Sequence, residues 1–120
     1  MQTTRKPGKT ETKKEDYRME YIYKYLFENN IQASAKGFPY ISESILYAID
    51  HPNCSFDSIL SRLALAHGEP AERIRGSMSY SIKTNTGSTT KAFLFNAAAS
   101  LRMKISKEED RKGRLIAFSS

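Results

Sequence analysis

Two helix-length segments, Phe56 to Ala66 and Pro70 to Thr84, meet at the tight break His67-Gly68-Glu69. This break constrains the fold more than any other feature, because a chain that turns so sharply between two helices has few ways to cover both apolar faces. In the first segment Ile59, Leu60, Leu63, Ala64 and Leu65 are expected to form the buried side, with Ser55 as N-cap and Asp57 and Ser58 in the first turn. Gly68 suits the left-handed position that closes a helix. In the second segment Pro70 and Glu72 favour a first turn: the N–H that proline lacks has no partner there, and an acid meets the positive end of the helix dipole. Ile74, Met78 and Ile82, spaced by four, fix its inward stripe, which leaves Arg73, Arg75, Gly76, Ser79, Tyr80 and Lys83 on the opposite face. This is the outline of a helix-turn-helix, an arrangement that presents a short helix to the major groove of DNA.

The rest of the chain reads as helix too. From Glu15, the residues Tyr17, Met19, Tyr21, Ile22, Tyr25 and Leu26 recur at three- and four-residue steps up to Asn29-Asn30, so their aromatic rings are read as core and not as a base-stacking surface. Ile31 to Phe38 is a connector closed by Gly37, and Pro39 opens a second helix carrying Ile41, Ile45, Leu46, Ala48 and Ile49, ended by His51-Pro52. Ser42 and Ser44 are expected on its surface. Asn85, Gly87 and Ser88 are expected to break the helix that begins at Pro70, and Thr89-Thr90 to cap another through Phe93, Leu94, Ala97, Ala98, Leu101 and Ile105. Only Leu115-Ile116-Ala117-Phe118 shows a weak strand-like pattern. The expected fold is all-α, a compact bundle of about five to six helices.

Composition narrows the classes. At 120 residues the chain suits one domain, large enough to bury roughly two thirds of the surface exposed by its unfolded form. No apolar run approaches the length of about 20 residues needed to cross a bilayer, so a soluble, non-secreted protein is expected. Cys54 has no partner cysteine, and with His51 and His67 it makes no zinc ligand set. The net charge of +6 is uneven: residues 1–14 hold five basic residues against one acid, residues 15–106 hold ten against nine, and residues 107–120 hold four against three. The expected organisation is therefore a disordered basic tail over 1–14, a helical domain over 15–106 and a charged extension over 107–120. The tail suits either a phosphate backbone or a purely solubilising role. For the extension two readings stay open: the alternating charges of KEEDRKGR suit a solvated stretch, whereas Leu115, Ile116 and Phe118 suit docking on a partner copy.

Enzymatic chemistry has little support. His51 and His67 flank Pro and Gly at helix ends without a paired nucleophile, and Ser77, Ser79 and Ser81 lack the strand-turn-helix elbow that activates a serine. There is no phosphate-cradling glycine loop or metal-ligand spacing. Neither a cofactor, a metal, a membrane nor a small-molecule substrate is expected.

The connector NIQASAKGFPYI, Asn30 to Ile41, with SESILYAID after it, resembles the opening of the C-terminal effector domain of the sporulation initiation response regulator of endospore-forming bacteria. That family has a similar Ala-x-x-Lys-Gly-aromatic-x-Tyr pattern, here Ala33, Lys36, Gly37, Phe38 and Tyr40. The likeness continues in ERIRGSMSYSIK, Glu72 to Lys83, and in KAFLFNAAASLRMK, where Phe93, Ala98, Leu101 and Arg102 match the family's last helix. It covers roughly Tyr21 to Lys104. The resemblance implies a cytoplasmic, nucleoid-associated bacterial regulator that places its recognition helix in the major groove of double-stranded DNA as dimeric or tandem copies. Arg73 coincides with a family arginine. The family's two later arginines and its histidine fall at Gly76, Ser79 and Tyr80, and its glutamate at Arg75, so the base-reading set is rewritten and the target sequence does not carry over. No receiver domain is expected ahead of this one, hence no aspartate phosphorylation switch within the chain.

Two readings of the rewritten face stay open. In one, Arg73, Arg75, Ser79 and Tyr80 read a DNA element, Gly76 lets the backbone approach the groove, and Lys36, Lys83 and Lys91 hold phosphates. In the other, the same scaffold serves as a protein-interaction module or antagonist of a regulator, since fold alone does not decide function. Gly76 needs an explanation in either case. A glycine inside a helix costs about 1 kcal/mol relative to alanine, and close approach of another backbone is the expected reason.

Overall fold

The sequence periodicities become five helices in the computed structural model, which describes residues 17–119, with side chains described from 17 to 110. They are α1 over 17–28, α2 over Phe38–Asp50, α3 over Phe56–His67, α4 over Ala71–Thr86 and α5 over Thr90–Ser119. The described residues contain no strand, and no helix among them is long and apolar enough to cross a membrane. The expected tail over 1–14 lies outside the described residues.

One core joins all five elements. Ile22 and Leu26 of α1, Ile41 and Ile45 of α2, Ile59 and Leu63 of α3, Ile74, Met78 and Ile82 of α4, and Leu94 and Leu101 of α5 are buried together. α5 packs along α2 and also against α4, while α3 packs between α2 and α4. Tyr17, Tyr21 and Tyr25 are half-buried against the core, as the stripe on α1 implies.

Local chemistry sets most of the helix ends. The Ser55 hydroxyl accepts a hydrogen bond from the Ser58 N–H at 3.1 Å, and the Thr89 hydroxyl accepts one from the Ala92 N–H at 3.3 Å, each satisfying a donor that the first turn leaves free. Gly68, at φ 63°, closes α3 in the left-handed region, and its N–H donates to the Ala64 carbonyl.

Several expectations are corrected. Leu65, expected in the buried side of α3, is 86% exposed; it lies two residues past Leu63 and so about 200° around the helix from it. Ser42 and Ser44, expected on the surface, are buried, and their hydroxyls donate back to the carbonyls of Phe38 and Tyr40, both at 2.7 Å. That back-bonding is what lets a serine enter a core. Asn85 does not break α4: its side-chain amide donates to the Ser81 carbonyl at 2.8 Å, the Thr86 hydroxyl donates to the Ile82 carbonyl at 2.7 Å, and the helix stops only at left-handed Gly87. α5 continues through Leu115 to Phe118, despite the weak strand-like pattern of that stretch.

α2 has no basic residue in its last turn, and α5 supplies one. Arg102 donates to the carbonyls of Ala48 at 2.9 Å and Ile49 at 3.4 Å, placing a cation at the negative end of the α2 dipole. Arg102→Met keeps the aliphatic stem and removes both bonds. It is expected to lower stability by about 1 kcal/mol, read as a shift of the urea midpoint at unchanged slope; an unshifted midpoint would show the contact to be idle.

Candidate nucleic-acid interface

The position of α4 is set from three sides. Below it, Ile74, Met78 and Ile82 are 0% exposed, so the apolar stripe is fully seated. At its start the chain leaves α3 through Gly68, Glu69 and Pro70, and the end of α3 is tied to α2 by His67. The His67 Nε2 lies 2.9 Å from the Glu43 Oε1, and the His67 ring meets the Tyr40 ring edge-on at 5.0 Å. The residue read from sequence as a plain turn histidine is thus a strut.

On the third side the connector leans on α4 at Gly37. A Cβ built at Gly37 would stand 2.6 Å from the Ser77 carbonyl oxygen and 3.1 Å from the Met78 Cα. Gly37 has an ordinary helical φ of −80°, so its need is one of space and not of backbone conformation. The sequence marks Gly37 only as the end of a connector. Gly76, the glycine for which a close neighbour was expected, has none: a Cβ there would meet nothing of the same chain within 4 Å.

The opposite face of α4 is open. Arg73, Arg75, Gly76, Tyr80 and Lys83 are exposed, Tyr80 at 74%, while Ser79 is half-buried. Arg73 holds a loose contact with Glu69, one turn earlier, at 3.6 Å. Such an exposed pair is worth well under 1 kcal/mol, so it leaves the guanidinium available. At about 100° per residue, Arg73 and Arg75 stand about 160° apart on opposite flanks of this face. Gly76 and Lys83 lie between them, Tyr80 lies on the Arg73 side and Ser79 on the Arg75 side.

Along the Arg73 flank runs a cleft of about 380 Å³, lined by Ala35 and Lys36 of the connector and by Arg73, Gly76, Ser77 and Tyr80 of α4. Lys36, far away in sequence, therefore joins the α4 face. Lys83 is exposed near the end of α4 and Lys91 in the first turn of α5, both beside the α4–α5 junction and outside this cleft. Eight residues named from sequence thus fall into three places: Lys36, Arg73, Gly76 and Tyr80 at one cleft, Arg75 and Ser79 on the other flank, and Lys83 and Lys91 at the far end. The comparisons with protein families, with curated proteins and with solved structures found no match for this chain.

Proposed function

We propose that the chain is a sequence-specific double-stranded DNA-binding protein, a bacterial transcriptional regulator of the helix-turn-helix type, with α4 as the helix that enters the major groove. One observation carries this reading: α4 is pinned by a stripe of three fully buried residues while its other side offers Arg73, Arg75, Tyr80 and Lys83 to solvent around a bare glycine. An α-helix about 10–12 Å across fills a major groove about 12 Å wide, so a firmly seated helix with a cationic, unobstructed side suits that groove. The resemblance to the sporulation regulators points the same way, and with it comes binding as dimeric or tandem copies on half-sites about one helical turn apart.

Selection of bound fragments from a random duplex pool, repeated at two salt concentrations, tests the reading. An enriched motif that survives the higher salt supports a regulator. Failure to enrich any motif overturns it and assigns the same face to a protein partner.

The flanks give a sharper expectation. Arg75→Ala is expected to relax the preference at one base position, costing about 1–3 kcal/mol of discrimination there, whereas Lys83→Ala weakens all sequences alike and flattens the salt dependence. Binding titrations against a panel of single-base variants check this, and equal losses from both substitutions on every duplex would count against base reading.

A further inference from the structure

Within the DNA-binding reading, on which this inference rests, the two arginines of α4 have different tasks. We infer that Lys36 and Arg73 form a clamp on a single backbone phosphate of the duplex, so that Arg73 positions the strand and does not read a base.

The argument starts from placement. A helix in the major groove meets a phosphate rim most readily on the side where another segment of the protein extends past it with a second cation. Arg73 is on a flank, and it is the flank over which the connector extends the protein surface with Lys36. The two cations line one cleft together with Ala35 and Gly76, side chains too small to block an approaching phosphodiester. Arg75 does not line this cleft.

The geometry of the connector makes the pairing reproducible. Lys36 sits next to Gly37, whose backbone is pressed on the Ser77 carbonyl, so the backbone from which the lysine extends is held beside α4. Tyr80 lines the same cleft and is exposed. Glu69, 3.6 Å from Arg73, is a like charge to the phosphate, and the Arg73 guanidinium exchanges that carboxylate for the phosphate on binding. Phosphate contacts of this kind are sequence-blind and set the register from which other side chains read bases.

The test uses the full chain and one preferred duplex from the selection, with a scrambled duplex as comparison. Lys36→Gln and Arg73→Gln are each expected to weaken both duplexes by the same factor and to make the slope of log K against log salt shallower by about 1. Because both act on one phosphate, the double variant is expected to lose less than the product of the two single losses. All three variants are expected to melt with the wild type, since both side chains are exposed.

A preference lost at one base position in Arg73→Gln but kept in Lys36→Gln overturns the clamp, and so do losses that multiply independently. Saturation of the cleft by inorganic phosphate alone, seen as matching shifts of the Lys36 and Arg73 side-chain resonances, would make the ligand a free anion and overturns it too. Binding with an unchanged salt slope in both variants defeats the clamp and leaves the DNA reading standing. Binding to no duplex at all defeats both.

Discussion

Met78→Ala is expected to destabilise the fold by about 2–5 kcal/mol, the range for truncating a large buried side chain in a core that relaxes only in part. Met78 is 0% exposed at the middle of the α4 stripe, where α2 and α4 meet. Its sulfur also accepts a hydrogen bond from the Ser44 hydroxyl at 3.4 Å, which raises the question of whether the loss would come from a cavity or from a stranded hydroxyl. The same hydroxyl reaches the Tyr40 carbonyl at 2.7 Å, so Ser44 stays satisfied without the sulfur. The cavity therefore dominates. Met78→Leu, which nearly conserves volume but removes the acceptor, is then expected to cost less than about 1.5 kcal/mol. Urea unfolding of the two variants decides: a Met78→Leu loss as large as that of Met78→Ala would transfer the effect to the hydrogen bond.

The residues that carry this prediction were legible because they obey a local rule. A stripe at Ile74, Met78 and Ile82, caps at Ser55 and Thr89, and the left-handed Gly68 all act within one or two helical turns, and each occupies its expected place. The errors also have local causes. Leu65 has the apolar character of a core residue but the angular position of a surface one, and Asn85 has the composition of a helix breaker but an amide that folds back on Ser81.

What the sequence concealed is contact between distant segments. No periodicity relates Gly37 to Ser77, His67 to Glu43 or Arg102 to Ala48, yet the first two help decide where α4 sits and the third ties α5 to the end of α2. The candidate site shows the same division. That α4 would expose arginines followed from the spacing of its apolar residues, whereas the sharing of one cleft by Lys36 and Arg73 follows only from the seat of the connector.

Gly37→Ala is accordingly expected to destabilise by about 1–3 kcal/mol, the usual penalty for forcing an extra methyl group into filled space. The clash is with the backbone of α4, at 2.6 Å from the Ser77 carbonyl oxygen, and backbone held by a buried stripe on both sides cannot rotate away as a side chain would. Gly76→Ala is expected to do the reverse. With nothing of the chain within 4 Å of its Cβ and an ordinary helical environment, the added methyl removes unfolded-state freedom and stabilises by about 0.5–1 kcal/mol. Chemical denaturation of the pair thus yields shifts of opposite sign from the same substitution; two shifts of the same sign would mean that the connector is not pressed on α4 as described. Binding separates them a second way. A methyl at Gly76 stands on the exposed face and is expected to weaken duplex binding in a protein more stable than the wild type, because it blocks the approach that the bare backbone leaves open. Under the proposed clamp, Gly37→Ala is expected to act by moving Lys36 away from Arg73 where the variant remains folded, so its binding loss is expected to disappear when Lys36 has already been replaced by Gln. A Gly37→Ala loss that persists undiminished in the Lys36→Gln background would show that the connector acts on α4 as a whole, and not through its lysine.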